Sequence, residues 1–178
     1  LEVFRLGWYA KRGAKLMSTH DIKLKRGLIA HKRKKGNYKD PTNLPLIHLL
    51  EIPTDWPPGL YVTKLIDEQG FQVLHPFWVR SLVKISQRLL IAPALSLQCM
   101  NWWGGGNAYG KIVKGKIKQF TDSSGRFPAI SNTFPMPKRH SLGLNRPYYN
   151  ARGGDVLRWY YPLIRWLEKE GIDYDVQT

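Results

Sequence analysis

The residues best equipped for chemistry lie in two short stretches. The first is Cys99 to Gly110, CMNWWGGGNAYG, which sets Asn101, Trp102, Trp103, Asn107 and Tyr109 among four glycines. Rigid aromatics, amides and bare backbone suit the wall of a ligand pocket. A packed surface loop whose tryptophans cover a sheet edge is the plainer alternative. The second stretch is Arg146, Tyr148 and Tyr149, just ahead of a helix start. An arginine beside the positive end of a helix dipole could hold a carboxylate or orient a tyrosinate. Equally, Arg146 could pair with an acid such as Asp155 and only fix the loop. Cys99 lacks the glycine-flanked elbow of a nucleophile, and no histidine is near it in sequence. It reads better as a small apolar side chain. With one cysteine, neither a disulfide framework nor a cysteine-based metal site is possible within the chain. His20, His31, His48, His75 and His140 show no metal-ligand spacing.

The elements that must carry these residues can be read from periodicity and turn chemistry. From Val156, apolar residues recur at Trp159, Tyr160, Leu163, Trp166 and Leu167, a helical stripe from which Arg158, Arg165 and Lys169 fall away. Gly153 and Gly154 free the backbone ahead of it, and Asp155 is the expected N-cap. Gly171 stands where a left-handed C-terminal cap belongs. Pro162 should kink the helix near Arg158. Ile172, Tyr174 and Val176 then alternate with Asp173 and Asp175 as a strand entry.

Earlier in the chain, Val3, Phe4 and Leu6 form a strand, and Gly7 and Gly13 bracket a turn. Residues 18–45 read as a long basic loop, and a short strand is allowed between Asn43 and Pro53. Pro57-Pro58-Gly59 launches a strand from Leu60 to Ile66, Asp67-Glu68-Gln69-Gly70 turns it, and Phe71 to Val79 returns. Trp56 reads as a core or corner aromatic. Short strands and tight turns indicate a partial antiparallel β-sandwich, immunoglobulin-like in class, over residues 1–80. From residue 81 the character changes. Arg88 to Leu97 is an apolar run expected to be buried on both faces as a parallel strand, with Pro93 as its natural stop. A hairpin is expected over Lys111 to Phe120. Residues 81–178 therefore read as the start of an α/β domain.

Bulk properties narrow the function classes. The chain has 178 residues, of which 43% are hydrophobic, enough for a core. It starts on Leu1 and stops at Thr178 within an expected strand, so it reads as a fragment. The net charge of +15 concentrates between Lys11 and Lys39 and again at Lys111, Lys114, Lys116 and Lys118. Such charge suits nucleic acid or an anionic surface. A solvated insertion suits it as well, and no base-stacking or groove-reading motif accompanies it, which argues against nucleic acid. A non-catalytic basic binding module is the alternative to an enzyme. No apolar run approaches membrane-spanning length. The compartment stays open, with the cytoplasm as the working expectation.

Five blocks, in order, resemble the large (beta) subunit of N,N-dimethylformamidase and its relatives. They are VFRLGWYAKRGAKL from Val3, WPPGLYVTKL from Trp56, PFWVR from Pro76, the Asn101 to Tyr109 loop, and Arg146 to Val176. The first resembles a strand followed by Gly-Tyr-Tyr-Gly-Gly-x-Gly-Ala-Arg-Leu, and the fourth an Asn-x-Trp-Gly-Gly-x-Ser-Leu-Tyr loop. Met100 and Asn107-Ala108 depart from the family pattern. The resemblance implies a β-sandwich followed by a glutamine-amidotransferase-like α/β domain. It also implies a hydrolase of linear amides with a mononuclear iron held by one tyrosine and two glutamates. Tyr109 matches the tyrosine, and the glutamates are expected downstream of Thr178. A small amide substrate, a small partner subunit and homo-oligomer formation are implied in the same way. Asn101, Trp102, Trp103, Asn107, Arg146 and Tyr148 become the expected pocket residues.

Overall fold

The computed structural model describes residues 1–23, 48–119, 148 and 155–178. Its centre is an antiparallel sheet of four strands in the order β2-β1-β3-β4. These are β1 (Glu2–Leu6), β2 (Ala14–Thr19), β3 (Gly59–Ile66) and β4 (Gln72–Val79). The β3–β4 hairpin pairs in unbroken register from Gly59↔Val79 to Ile66↔Gln72. Asp67 closes its turn, because its Oδ1 accepts the amides of Gln69 at 2.9 Å and Phe71 at 2.8 Å. Gly70 supplies the required positive φ of 84°. Pro76 is tolerated within β4 because that strand lies at the sheet edge. Trp56 stacks on Tyr61 with ring centroids 5.2 Å apart, the corner aromatic expected at the head of β3.

The remaining elements are short. A parallel pair joins β5 (Leu89–Ile91) to β8 (Asp175–Gln177). Between them come α1 (Ala94–Met100), the hairpin of β6 (Gly110–Val113) with β7 (Lys116–Gln119), and α2 (Tyr161–Lys169). The fold is thus mixed α and β. It divides into two compact units. One comprises residues 1–26, 46–93 and 150–178, and holds the four-stranded sheet, β5, α2 and β8. The other comprises residues 27–45 and 94–149, and holds α1 and the small hairpin. In the first unit the core is Val3, Leu6, Leu60, Tyr61 and Val62 from the sheet, with Val156, Ile164 and Val176. Helix α2 packs against β1 and β3.

Several sequence expectations need correction. The apolar run from Arg88 is not one buried strand. Pro93 ends it, the chain re-enters as α1 from Ala94, and Leu89 and Ile91 are 57% and 66% exposed. A proline supplies no strand amide but opens a helix readily, so β5 stops after three residues. Residues 48–53 contain no strand. The rest of the loop at 18–45 lies outside the described residues beyond Lys23, as do Gly153 and Gly154. Asp155 does not cap with its side chain, because its own backbone is already helical at φ −68° and ψ −17°.

The kink expected from Pro162 takes a specific form. Val156 to Tyr160 winds as a π-helix, and the α-helix restarts with Pro162 in its first turn. A wider turn removes the clash between the proline ring and the preceding carbonyl. The insertion also changes which residues face inward. Val156 and Ile164 are buried, whereas Trp159, Leu163 and Trp166 are 62%, 37% and 53% exposed. The expected apolar stripe is therefore split, with its tryptophans outside. At the other end, Gly171 takes φ 67°. The amide of Ile172 donates to the Leu167 carbonyl at 2.9 Å, and that of Gly171 to the Glu168 carbonyl at 3.3 Å. This is the paired cap for which a glycine was expected.

Two local features yield predictions. In the turn between β1 and β2, Tyr9, Ala10 and Lys11 have φ values of 44°, 51° and 77°. Left-handed backbone costs a side-chain-bearing residue about 1–2 kcal/mol. Lys11 is exposed, so Lys11→Gly should raise stability by up to about 1 kcal/mol, read as a higher midpoint in urea.

Asp175 is buried, 5% exposed, with its carboxylate on the amides of Ile85 and Ser86 at 3.1 Å each. Burial alone would raise its pKa. The Ser86 and Ile85 amides, the Ser81 hydroxyl and the Lys84 charge outweigh that and hold it below the ordinary value. A carboxylate with a depressed folded pKa contributes stability above its unfolded value of about 3.9, and loses it as pH falls through the folded value. Thermal melts of Asp175→Asn should show a deficit at neutral pH that shrinks as the pH drops below about 4.

Candidate functional site

The second compact unit carries most of the residues expected to form a site. Helix α1 delivers the chain into the loop 101–109, so this loop follows a helix and not the end of β5. Cys99 lies on that helix, and its carbonyl accepts the Ala108 amide at 2.9 Å. That bond and the Asn107 amide donating to the Gly110 carbonyl at 2.9 Å close the loop on itself. Gly104 and Gly105 make the reversal at φ 73° and 87°. A side chain at either position would be strained.

The two asparagines hold this loop from within. Asn107 is 4% exposed, and its Oδ1 accepts the amides of Tyr109 at 2.8 Å and Gly110 at 2.9 Å. Its Nδ2 donates to the Met100 carbonyl at 3.2 Å. Asn101, 7% exposed, donates through Nδ2 to Gln98 at 2.9 Å, and its Oδ1 accepts the Trp103 amide at 3.2 Å. Both are Asx-type turns in which a side chain replaces a backbone partner. The loop therefore gathers Asn101, Trp102, Trp103, Asn107 and Tyr109 in one closed turn. Trp102, Trp103 and Tyr109 are half-buried. Tyr148 is half-buried, and burial raises its pKa. Arg146 and Tyr149 lie outside the described residues. The hairpin that leaves the loop turns at Lys114 and Gly115, with φ 48° and 78°, the left-handed pair a two-residue hairpin needs.

The first unit holds a polar cluster that the sequence did not reveal. Arg5 and Glu168 form an ion pair at 2.7 Å, with side chains only 11% and 19% exposed. Glu168 also accepts the Trp8 amide at 2.9 Å and the Tyr174 hydroxyl at 3.2 Å. Arg5 donates to the Tyr9 hydroxyl at 2.7 Å and to the Pro58 carbonyl at 3.1 Å. Burial opposes the charge on Arg5, yet the Glu168 carboxylate and Tyr9 raise its pKa above the ordinary value. Burial, then the Glu168 charge, raises the Tyr174 pKa. Each oxygen of Glu168 is engaged, so the cluster is built to hold elements together. One signal could have pointed to it: Glu168 lies four residues from Ile164, on the inward side of α2. Among the described residues, no three histidine, cysteine or acidic side chains gather as a metal site. No helix among them is long and apolar enough to cross a membrane.

These features define a mixed α and β protein with a four-stranded antiparallel sheet and a glycine-rich aromatic loop closed by its own asparagines. Its family is shown by comparison with known proteins. The family model described as N,N-dimethylformamidase beta subunit-like, C-terminal, matches residues 1–178, and the chain belongs to that family. No curated protein and no solved structure matches the chain.

The loop geometry is directly testable. Asn107→Ala leaves the buried Gly110 amide and the part-buried Tyr109 amide without this acceptor, at about 1–3 kcal/mol for a fully buried group. Amide hydrogen exchange at Tyr109 and Gly110 should accelerate in that variant. Asn107→Asp, which keeps the acceptor oxygen, should retain most of the protection.

Proposed function

We propose that this chain is part of an amidohydrolase that cleaves small linear amides, as N,N-dimethylformamidase does. The observation that carries the reading is the family match over the whole chain, residues 1–178. In this proposal the four-stranded sheet belongs to an immunoglobulin-like sandwich over residues 1–80. The parallel β5–β8 pair and α1 begin a glutamine-amidotransferase-like domain over residues 81–178. The family is named for a beta subunit. A second, small subunit and a homo-oligomer are the partners proposed on that basis. The alternative of a basic binding module gains nothing from the family match.

The expected cofactor is a mononuclear iron, whose role when bound would be to polarise the amide carbonyl and acidify a water. This chain fits such a centre only in part. Tyr109 offers one oxygen donor on a loop that is already closed and held by buried hydrogen bonds. The acidic donors would come from outside the chain. What the residues of this loop can do is defined by their chemistry. Trp102 and Trp103 would present flat apolar surface to a small amide and keep water from it. The Asn107 side chain fixes the Tyr109 backbone amide. Arg146 and Tyr148 remain proposed pocket residues, the first to orient a carboxylate or a phenolate.

Two substitutions at Tyr109 in the complete enzyme separate ligand from packing. Tyr109→Phe keeps the ring and removes only the oxygen. If Tyr109 is a ligand, this variant should melt near the wild type while iron per chain and amide turnover both collapse. If the ring only packs, Tyr109→Phe should be nearly silent and Tyr109→Ala should lose stability, by at most about 3–5 kcal/mol. A Tyr109→Phe enzyme with full iron and full turnover ends the assignment.

A further inference from the structure

Where β2 ends, two histidines that are far apart in sequence come together. The rings of His20 and His48 lie with centres 5.1 Å apart and planes tilted by 55°. Both belong to the first compact unit. His20 is half-buried and His48 is exposed, so solvent reaches the pair. His20 is held at its backbone and at its ring. Its amide donates to the Leu1 carbonyl at 2.8 Å, which continues the β1–β2 ladder by one step. Its Nε2 lies 2.9 Å from Ser18 Oγ, two residues back on the same face of the strand.

That hydrogen bond bears on which ring nitrogen is free. With the proton on Nε2 and donated to Ser18, Nδ1 carries the lone pair that a metal ion needs. Metal-binding histidines are ordinarily held in this way, with one nitrogen on the ion and the other on a fixed partner. The spacing of the rings fits as well. A Zn–N bond is about 2.0–2.1 Å and the ring centre lies about 1.2 Å behind the nitrogen, so two imidazoles on one tetrahedral ion have centres about 5 Å apart. Packing is a poor reason for the contact, because rings that face solvent bury little apolar surface. Donors that are both imidazole also narrow the choice of ion. Magnesium and calcium need oxygen ligands, whereas zinc, copper and nickel suit imidazole.

We propose that His20 and His48 together bind one divalent transition-metal ion of the zinc class, with water in the remaining positions. An ion held by both rings ties residue 48 to the end of β2 and closes the chain between them into a loop. A clip that closes a long loop favours the folded state, and so does any ligand that binds only that state. The site uses no residue of the amide-hydrolase proposal and stands whether or not that proposal holds.

The test is a calorimetric titration of the complete protein with Zn²⁺, with Mg²⁺ as the control ion. It is run on the wild type, His20→Ala, His48→Ala and the double variant. Zinc taken up elsewhere is common to all four proteins, so the readout is the site that disappears. The wild type should bind one more Zn²⁺ per chain than the double variant. Each single variant should weaken that site at least about tenfold, as fully as the double does, because the two ligands act as a unit. Zn²⁺ should also raise the melting temperature of the wild type more than that of any variant. His48 is exposed, so His48→Ala decides the matter if His20→Ala does not fold. A folded single variant that keeps the site at unaltered affinity overturns the proposal. So does Mg²⁺ uptake equal to that of Zn²⁺. No excess zinc in the wild type overturns it too, and would mean that the two rings only pack. Amide turnover is not part of the readout, so failure of the amide-hydrolase reading leaves the result intact.

Discussion

The Glu168 carboxylate is the contact on which the first unit depends. It binds Arg5 of β1, the Trp8 amide of the following turn and the Tyr174 hydroxyl that leads into β8. Three separate pieces of chain meet on two oxygens. With side chains only 11% and 19% exposed, neither partner is easily left alone. Removing one member of such a pair leaves an uncompensated charge, at about 3–5 kcal/mol. That is a large share of the roughly 5–15 kcal/mol by which a domain is stable. The pair need not beat an apolar alternative in stability. Its directional bonds choose one arrangement of α2 on the sheet, which a greasy contact would not.

Other features of the unit follow from this anchor. Gly7 has no side chain because Glu168 lies where its Cβ would be. The turn from Tyr9 to Lys11 accepts left-handed backbone without a glycine among those three residues. The strain is held by bonds on each side: Gly7 to Gly13 at 3.0 Å in the backbone, and Arg5 to Tyr9 at 2.7 Å between side chains. The π-turn before α2 serves the same end. It places Ile164 in the core and keeps Arg165 beside Trp8.

The loop 101–109 in the other unit solves a different problem. Its large aromatic residues are only half-buried, and the buried side chains of Asn101 and Asn107 fix its shape. Asn101 and Asn107 each satisfy nearby backbone groups, and the loop keeps one shape while its aromatic residues stay half-buried. Such a loop can present side chains without relaxing around them.

Sequence alone determined the parts whose causes are local. The strands from Glu2, Gly59 and Gln72, the Asp67–Gly70 turn, the Gly171 cap and the hairpin after Gly110 each follow from a few adjacent residues. The family, too, was legible in five ordered blocks. Tertiary structure decided the rest. Trp8 and Glu168 are 160 residues apart, and nothing in either neighbourhood names the other. Alternation indicated a strand at Asp175, but its partners, the amides of Ile85 and Ser86, lie some ninety residues earlier. Periodicity identified a helix at Val156, yet one π-turn was enough to send Trp159 and Trp166 outside. The reason is common to all three cases. Local pattern specifies the period and the punctuation of a chain, while the choice of inward face and of charged partner belongs to contacts that exist only after distant segments have met.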